Sequence, residues 1–328
     1  MKVYVVGAGA VGTYLGEALR SAAADVSYAP RNLADVRPVE AELAIVAVKS
    51  YDTDDAIATL RRALGENAQT TILTPQNGVG NEERLAAAFG ADRIVSCAMT
   101  VPVERGKDGT IVPSNRGGIA LAPVGSVAHN WLVAAFEQTS IPVKVTSDYR
   151  ALKWSKLALN IIANASCAIL NVLPEQLVRL EHMFSLEIRA IRETRAVMVA
   201  MGLTSVDLPR YPVRALQGVV ALPTPVAKLL LSNRIAGARG RKPPSLLLDL
   251  RAAKGRTEVD VLNGAVAAAG RAAGVPTPVN AVFARVLSDI AHMPQLWAKY
   301  RERPVALLAE VQAEERRAGA VMPASRTT

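Results

Sequence analysis

Three groups of residues in this 328-residue chain have types and spacings that could do chemistry. The first is Gly7-Ala8-Gly9-Ala10-Val11-Gly12, directly behind the apolar run Val3-Tyr4-Val5-Val6. The first glycine of such a run makes a tight turn, the second lets the backbone approach a pyrophosphate, and the third lets the following helix pack close to the strand. The free N–H groups opening that helix, expected over 11–21, would face the phosphates. A plain glycine turn is the rival reading, but a strand before and a helix after are the context that dinucleotide binding demands. The second group is Lys156, Asn160 and Asn164, spaced by four on a predicted helix otherwise made of Leu157, Leu159, Ile161 and Ile162. One lysine and two amides on an apolar helix are costly to bury unless they line a wet site, the alternative being a solvent face. The third is Pro244-Ser245 ahead of an apolar run, with Thr257-Glu258-Val259-Asp260 after Gly255. Gly255 ends one helix, Thr257 with Asp260 resembles a capping box opening the next, and Glu258 falls in a first turn beside a kink.

These groups need elements to position them. Residues 2–6 form a strand rich in β-branched side chains, expected at the centre of a sheet covered on both faces. Residues 25–29, 41–48 and 70–74 read as further strands, so Gly9, Lys49 and Asn77 arrive at the sheet edge where ligands bind in such folds. At the end of the second strand stands Arg31, where an NAD enzyme keeps an acid for the ribose 2′-hydroxyl. A guanidinium there suits a 2′-phosphate and argues for NADP over NAD. Strands over 93–101, around Ile111 and Ile119, and over 141–145 are expected to complete the sheet, with antiparallel additions near Gly109 and Gly117-Gly118. From Asp148 the pattern turns to helices, roughly 149–171, 174–201, 211–231, 245–254, 257–273 and 280–291. The expected organisation is an α/β dinucleotide-binding domain of the Rossmann type over 1–147, an all-helical domain over 148–316 and a frayed tail over 317–328.

Composition narrows the function classes. The chain is long for one core and comfortable for two. Hydrophobic residues make up 50% and aromatics only 4%, which suits helix-rich packing by Ala, Val, Leu and Ile. Lys and Arg outnumber Asp and Glu by 38 to 29, so anionic ligands are favoured. The basic residues lack the aromatic interleaving of a single-strand binder, and the cluster Arg234, Arg239, Arg241 and Lys242 reads as a solvated loop. Cys97 and Cys167 lie far apart without a CxxC, as buried thiols of a reducing compartment. The three histidines have no ligand spacing, so no metal is expected. The first strand leaves no room for a signal peptide, and Pro, Lys or Asn interrupt the longest apolar runs. A cytoplasmic protein is expected, without nucleic-acid or membrane partners.

Taken together, VVGAGAVG, Arg31, VAVKSYDT, TPQNGVG, WSKLALNIIAN, PSLLLDLRAAKGRTEVDVLNG and GVPTPVN resemble, in order and spacing, the ketopantoate reductase family along nearly the whole chain. The resemblance implies a Rossmann domain followed by a helical domain, with the site in the cleft between them. It implies Lys156 as proton donor, Asn160, Asn164 and Ser245 as substrate ligands, Asn77 and Glu258 between cofactor and substrate, and Lys49 on the cofactor. It also implies a small anionic keto acid as partner; a homodimer is one option for the assembly, which the sequence does not fix. The chemistry is consistent: a cation close to a ketone oxygen lowers the barrier to hydride addition and can donate the proton. Lys153, three residues before Lys156, reads as an exposed neighbour. Three departures stand out. Only residues 32–48 separate Arg31 from Lys49, about half the family's usual spacing, as though a third strand and its hairpin were deleted. The family's Asn shortly before the serine is missing from Arg241-Lys242-Pro243-Pro244, and the run from Asp249 to Glu258 is one residue longer. The rival functions are reduction of another 2-keto acid and a non-catalytic NADP-binding redox sensor.

Overall fold

The computed structural model describes residues 1–65, 69–106, 108–113, 117–237 and 242–321. It divides into two compact units, Met1–Lys156 with Ser205–Val213, and Leu157–Thr204 with the chain from Arg214 onward. The division falls inside one helix, later than the boundary expected from the sequence, and it returns Ser205–Val213 to the first unit. The physical tie is polar as well as apolar: the Ser155 hydroxyl accepts from Val206 N–H at 2.8 Å, and Lys144 Nζ donates to the carbonyl of Asp207 at 2.7 Å.

The first unit is a sheet between helices. Strands β1 (Lys2–Val6), β2 (Asp25–Tyr28), β3 (Leu43–Val46), β4 (Thr71–Thr74) and β5 (Ile94–Met99) run parallel in the order β2-β1-β3-β4-β5. Alternation along β1 decides which helices cover which face. Val3 and Val5 share a core with Leu15 and Leu19 of α1 (Ala10–Ser21) and with Leu132 and Phe136 of α4 (Asn130–Glu137). Tyr4 and Val6 pack instead with Ile57 and Leu60 of α2 (Thr53–Leu64) and Leu85 of α3 (Asn81–Phe89). This is a Rossmann-type arrangement, with β2 at the sheet edge. Between β2 and β3 the only regular element is a short 3₁₀ turn, Leu33–Asp35, so the shortened segment carries no further strand.

The far side of the sheet departs from expectation. The strand around Ile111 does not join it. Instead β6 (Val103–Arg105) and β7 (Ile111–Pro113) pair with each other as a separate antiparallel ribbon, because Pro102 ends the β5 run and the turn at Gly106 and Gly109 folds the chain back. The strand at Ile119, β8 (Ile119–Pro123), does join, antiparallel to β5, and β9 (Val143–Val145) closes the edge beside it.

In the second unit, helices that the sequence suggests are continuous are broken at identifiable places. The stretch 149–171 divides into α5 (Tyr149–Asn160) and α6 (Ala165–Leu170), 174–201 into α7 (Pro174–Leu177) and α8 (Met183–Ala200), and 211–231 into α9 (Val213–Ala221) and α10 (Thr224–Gly237). Ala163 and His182 take left-handed backbone at the first two breaks, with φ of 48° and 63°, and Pro223 stands at the third. After α11 (Ser245–Arg251) come the 3₁₀ turn Glu258–Val261, α12 (Asn263–Ala273), α13 (Pro278–His292), α14 (Trp297–Tyr300) and α15 (Pro304–Val321). The Glu193 carboxylate of α8 caps α13, accepting from the N–H groups of Val279 and Asn280 at 2.9 Å each. Helix α15 runs through 317–321, residues expected to belong to the tail, while 322–328 lie outside the described residues, as do Arg239 and Arg241 of the basic cluster. No helix among the described residues is long and apolar enough to cross a membrane.

Candidate active site

The three glycines of the loop after β1 do different work. A Cβ on Gly7, whose φ is 104°, would lie 2.7 Å from the backbone carbon of Ala47, and one on Gly12 would lie 2.1 Å from the carbonyl oxygen of Gly7. Those two are demanded by the protein's own packing of β1, β3 and α1. Gly9 is different, since a Cβ there would meet nothing within 4 Å. It is the N-cap of α1, offers no side-chain cap, and is followed by no acid in the first turn. Open space, unclaimed N–H groups and a positive dipole end therefore coincide at Gly9, Ala10 and Val11, as a pyrophosphate requires. A dinucleotide fits these residues. Arg31 stands exposed three residues past β2.

A second cation, which sequence reading missed, stands at this loop. Arg105, on the β6–β7 ribbon, donates to the carbonyl of Ala8 at 3.0 Å and reaches the Thr13 hydroxyl at 3.4 Å. No local pattern announces it, because the ribbon reaches α1 only through the tertiary fold.

The C-terminal ends of β3 and β4 are joined by a buried polar mesh. The Gln76 amide donates to the carbonyl of Val48 at 3.2 Å and to the Thr53 hydroxyl at 2.9 Å, and its oxygen accepts from Thr74 at 3.0 Å. The carbonyl of Asn77 accepts from the Ser50 hydroxyl and the Asn81 amide, each at 3.1 Å. Lys49 precedes this Ser50 turn as its N-cap, so Lys49 and Asn77 are positioned by one connected set of hydrogen bonds. Both side chains are half-buried.

Helix α5 joins the same mesh through an unexpected residue. Lys153 is not the exposed neighbour that its spacing suggests, being only 2% exposed. Its ammonium donates to the carbonyl of Gln76 and lies 3.0 Å from Glu82 Oε1, which also accepts from the Ser96 hydroxyl at 2.9 Å. The reason is that residues 151–155 of α5, with Leu157 and Ala158, are all buried, which leaves Lys153 no solvent face. Such a pair is expensive to desolvate, and removing one partner alone typically costs about 3–5 kcal/mol. Lys156, one turn on, is half-buried. Burial pushes the Cys97 thiol of β5 up to about 12, with Lys153 and Lys156 pulling it down and Glu82 raising it, so both lysines lie within electrostatic reach of that strand.

In the second unit the predicted stripe is only partly realised. Asn160 and Asn164 do not share the face of one helix, because the chain breaks between them at Ala163, whose N–H is taken by the buried Glu187 carboxylate at 2.6 Å. Asn164 then acts as a clamp. Its Nδ2 donates to the carbonyl of Asn160 at 3.1 Å and reaches Ser245 Oγ at 3.4 Å, while its Oδ1 accepts from Leu246 N–H at 3.2 Å. The structure thus brings Asn160, Asn164 and Ser245 together, leaving Asn160 and Ser245 half-buried and Asn164 buried. Thr257 caps the next turn as expected, accepting from Val259 N–H at 2.9 Å, but that turn is a 3₁₀ helix and α12 starts only at Asn263. Gly255 has the left-handed φ of 68° that its turn needs, and Glu258 is buried.

Comparison with known proteins assigns the chain to a family. Family models described as ketopantoate reductase PanE/ApbA and its C-terminal domain match residues 27–126 and 148–291. The 2-dehydropantoate 2-reductase of Caulobacter vibrioides is 29% identical over 274 residues, covering 83% of each chain. That of Halobacterium salinarum is 30% identical over 265 residues, covering 78% of this chain and 77% of its own. Among solved structures, a PanE/ApbA family ketopantoate reductase from Ralstonia eutropha JMP134 superposes with a TM-score of 0.73 at 28% identity, over 90% of this chain and all of that one. A D-mandelate dehydrogenase in complex with NADH shares the fold with a TM-score of 0.72 at 17% identity, over 89% of this chain and 99% of its own. The chain therefore belongs to the ketopantoate reductase family, a family of oxidoreductases.

Proposed function

We propose that the chain is an NADPH-dependent reductase of a small 2-keto acid, with conversion of ketopantoate to pantoate as the leading reaction. The observation that carries this reading is that the helix bearing Lys156 is bonded, through Lys153, to the carbonyl next to Asn77, on the same sheet edge as the open glycine loop. A proton donor and a cofactor loop are thereby built into one unit. The bound nicotinamide supplies the hydride. Lys156 stands at the ketone oxygen, opposes the negative charge that develops there and gives up a proton from Nζ. Asn160 and Ser245 hydrogen-bond the polar groups of the substrate. Asn164 serves the substrate by fixing those two, since both ends of its amide are already engaged. Asn77 and Glu258 lie between substrate and cofactor, Lys49 contacts the cofactor, and Arg31 takes the 2′-phosphate with Arg105 as a second cation by the pyrophosphate loop. Buried Cys97 and Cys167 suit the reducing cytoplasm.

The test is NADPH oxidation followed by absorbance against a panel of 2-keto acids. Turnover with ketopantoate above all others supports the leading reaction, and preference for another member reassigns the substrate. Tight NADPH binding without oxidation by any keto acid would leave the redox-sensor reading in its place.

A further inference from the structure

We infer that the buried Lys153–Glu82 pair is a positioning device that sets Lys156 and Asn77 in register before any ligand binds. The inference rests on the reductase reading for its kinetic arm and on geometry alone for its structural arm.

A lysine and a glutamate at 2% and 1% exposure need a reason, because apolar side chains of similar volume would commonly serve stability as well. The reason lies in what the pair connects. Lys153 is on α5, one turn before Lys156. Its ammonium reaches the carbonyl of Gln76, the residue before Asn77, as well as Glu82 in the first turn of α3. Gln76 in turn holds Val48 and Thr53, and Asn81 beside Glu82 holds the carbonyl of Asn77 and, more distantly, the Ser50 hydroxyl at 3.4 Å. A single cation therefore ties the helix that carries the proposed proton donor to the two strand ends that carry Asn77 and Lys49. An apolar residue at position 153 could fill the space but could not bind a carbonyl. Glu82, anchored by Ser96, makes the buried ammonium tolerable. Lys153 touches neither substrate nor cofactor in this scheme and acts through its neighbours.

Two variants separate positioning from simple stability. Lys153→Met removes the cation and strands the Glu82 charge, so it lowers both thermal stability and turnover. The double variant K153M/E82Q removes both charges while the introduced amide oxygen can still accept from Ser96, so stability recovers. If the bond to Gln76 is what positions the site, turnover stays about 10- to 100-fold below wild type in the folded double variant. The KM for NADPH should rise by a smaller factor than turnover falls, because Lys49 and Asn77 belong to the mesh while the glycine loop and Arg31 lie outside it. Recovery of turnover to within about threefold of wild type would overturn the inference. The structural arm is amide hydrogen exchange on the ligand-free protein. Residues 75–81 should lose about tenfold or more of their protection in the double variant while 3–6 keep theirs. Unchanged protection of 75–81 would overturn the inference as well. Should the wild-type protein reduce no keto acid, the reductase reading fails and the exchange arm still decides this one.

Discussion

Lys153 and Lys156 lie one turn apart on the same helix, and their surroundings give them opposite work. Lys153 is locked between a carboxylate and a carbonyl, whereas Lys156 is half-buried at the end of the first unit. If Lys156 delivers the proton, Lys156→Ala should cut turnover by about 10²- to 10⁴-fold with NADPH affinity nearly intact. Arginine at that position should rescue little, since its proton is held too tightly and its planar fork differs in reach. Wild-type turnover by Lys156→Ala would remove it from the mechanism. At the cofactor's other end, the Arg31 guanidinium matches a 2′-phosphate, and a charge-assisted bond there contributes roughly 1.5–3 kcal/mol. Arg31→Ala should raise the Michaelis constant for NADPH by about 10- to 100-fold and leave that for NADH almost unmoved. Equal effects on the two cofactors would mean that Arg31 does not read the phosphate. Residue types at motif positions were enough to nominate both side chains. They could not reveal that Lys153 is buried, because its partner Glu82 lies in a distant helix.

At the scale of the element, the glycine loop and the broken helix make separable predictions. Gly12→Ala drives a Cβ into the Gly7 carbonyl and should prevent stable folding, while Gly9→Ala meets open space and should fold normally. Gly9→Ala should nonetheless bind NADPH much more weakly, as calorimetry would show, if that space belongs to the pyrophosphate. Wild-type affinity would mean that it does not. The break at Ala163 is held by Glu187, and burial pushes that carboxyl up to about 7 from an ordinary 4.5, with Ser166 and the Ala163 N–H pulling the other way. The folded protein therefore keeps a proton that the unfolded chain has released, and stability falls as pH rises from about 4.5 to about 7. The full cost, on the order of 3 kcal/mol, is present above that range. Glu187→Gln retains an acceptor for Ala163 and should flatten this slope in urea melts, ending more stable than wild type at alkaline pH. A variant slope parallel to wild type would show that Glu187 stays ionised in the fold. The apolar periodicity across 149–171 was legible in the sequence, but periodicity cannot report a break made by a carboxylate from α8.

For the whole molecule, ligand linkage offers a check that needs no substrate. NADPH at about 100 times its dissociation constant should stabilise the protein by about 2.7 kcal/mol, and NADH at the same concentration by distinctly less. Equal shifts in thermal midpoint would argue against an NADP enzyme. The linear order of the chain was sufficient to establish a Rossmann-type unit followed by helices, because strand and helix periods are local and the glycine loop must follow β1 directly. Local order also sufficed to bring Gly9, Lys49 and Asn77 to one sheet edge, since parallel strands deliver their C-terminal ends to the same side. The tertiary structure alone decided that β6 and β7 leave the sheet to bring Arg105 to the glycine loop, that Asn164 clamps Ser245, and that Lys153 ties α5 to Gln76. Each of those contacts joins residues far apart in the chain. Their partners are selected by packing and by the need to satisfy buried polar groups, conditions that exist only once the elements have come together.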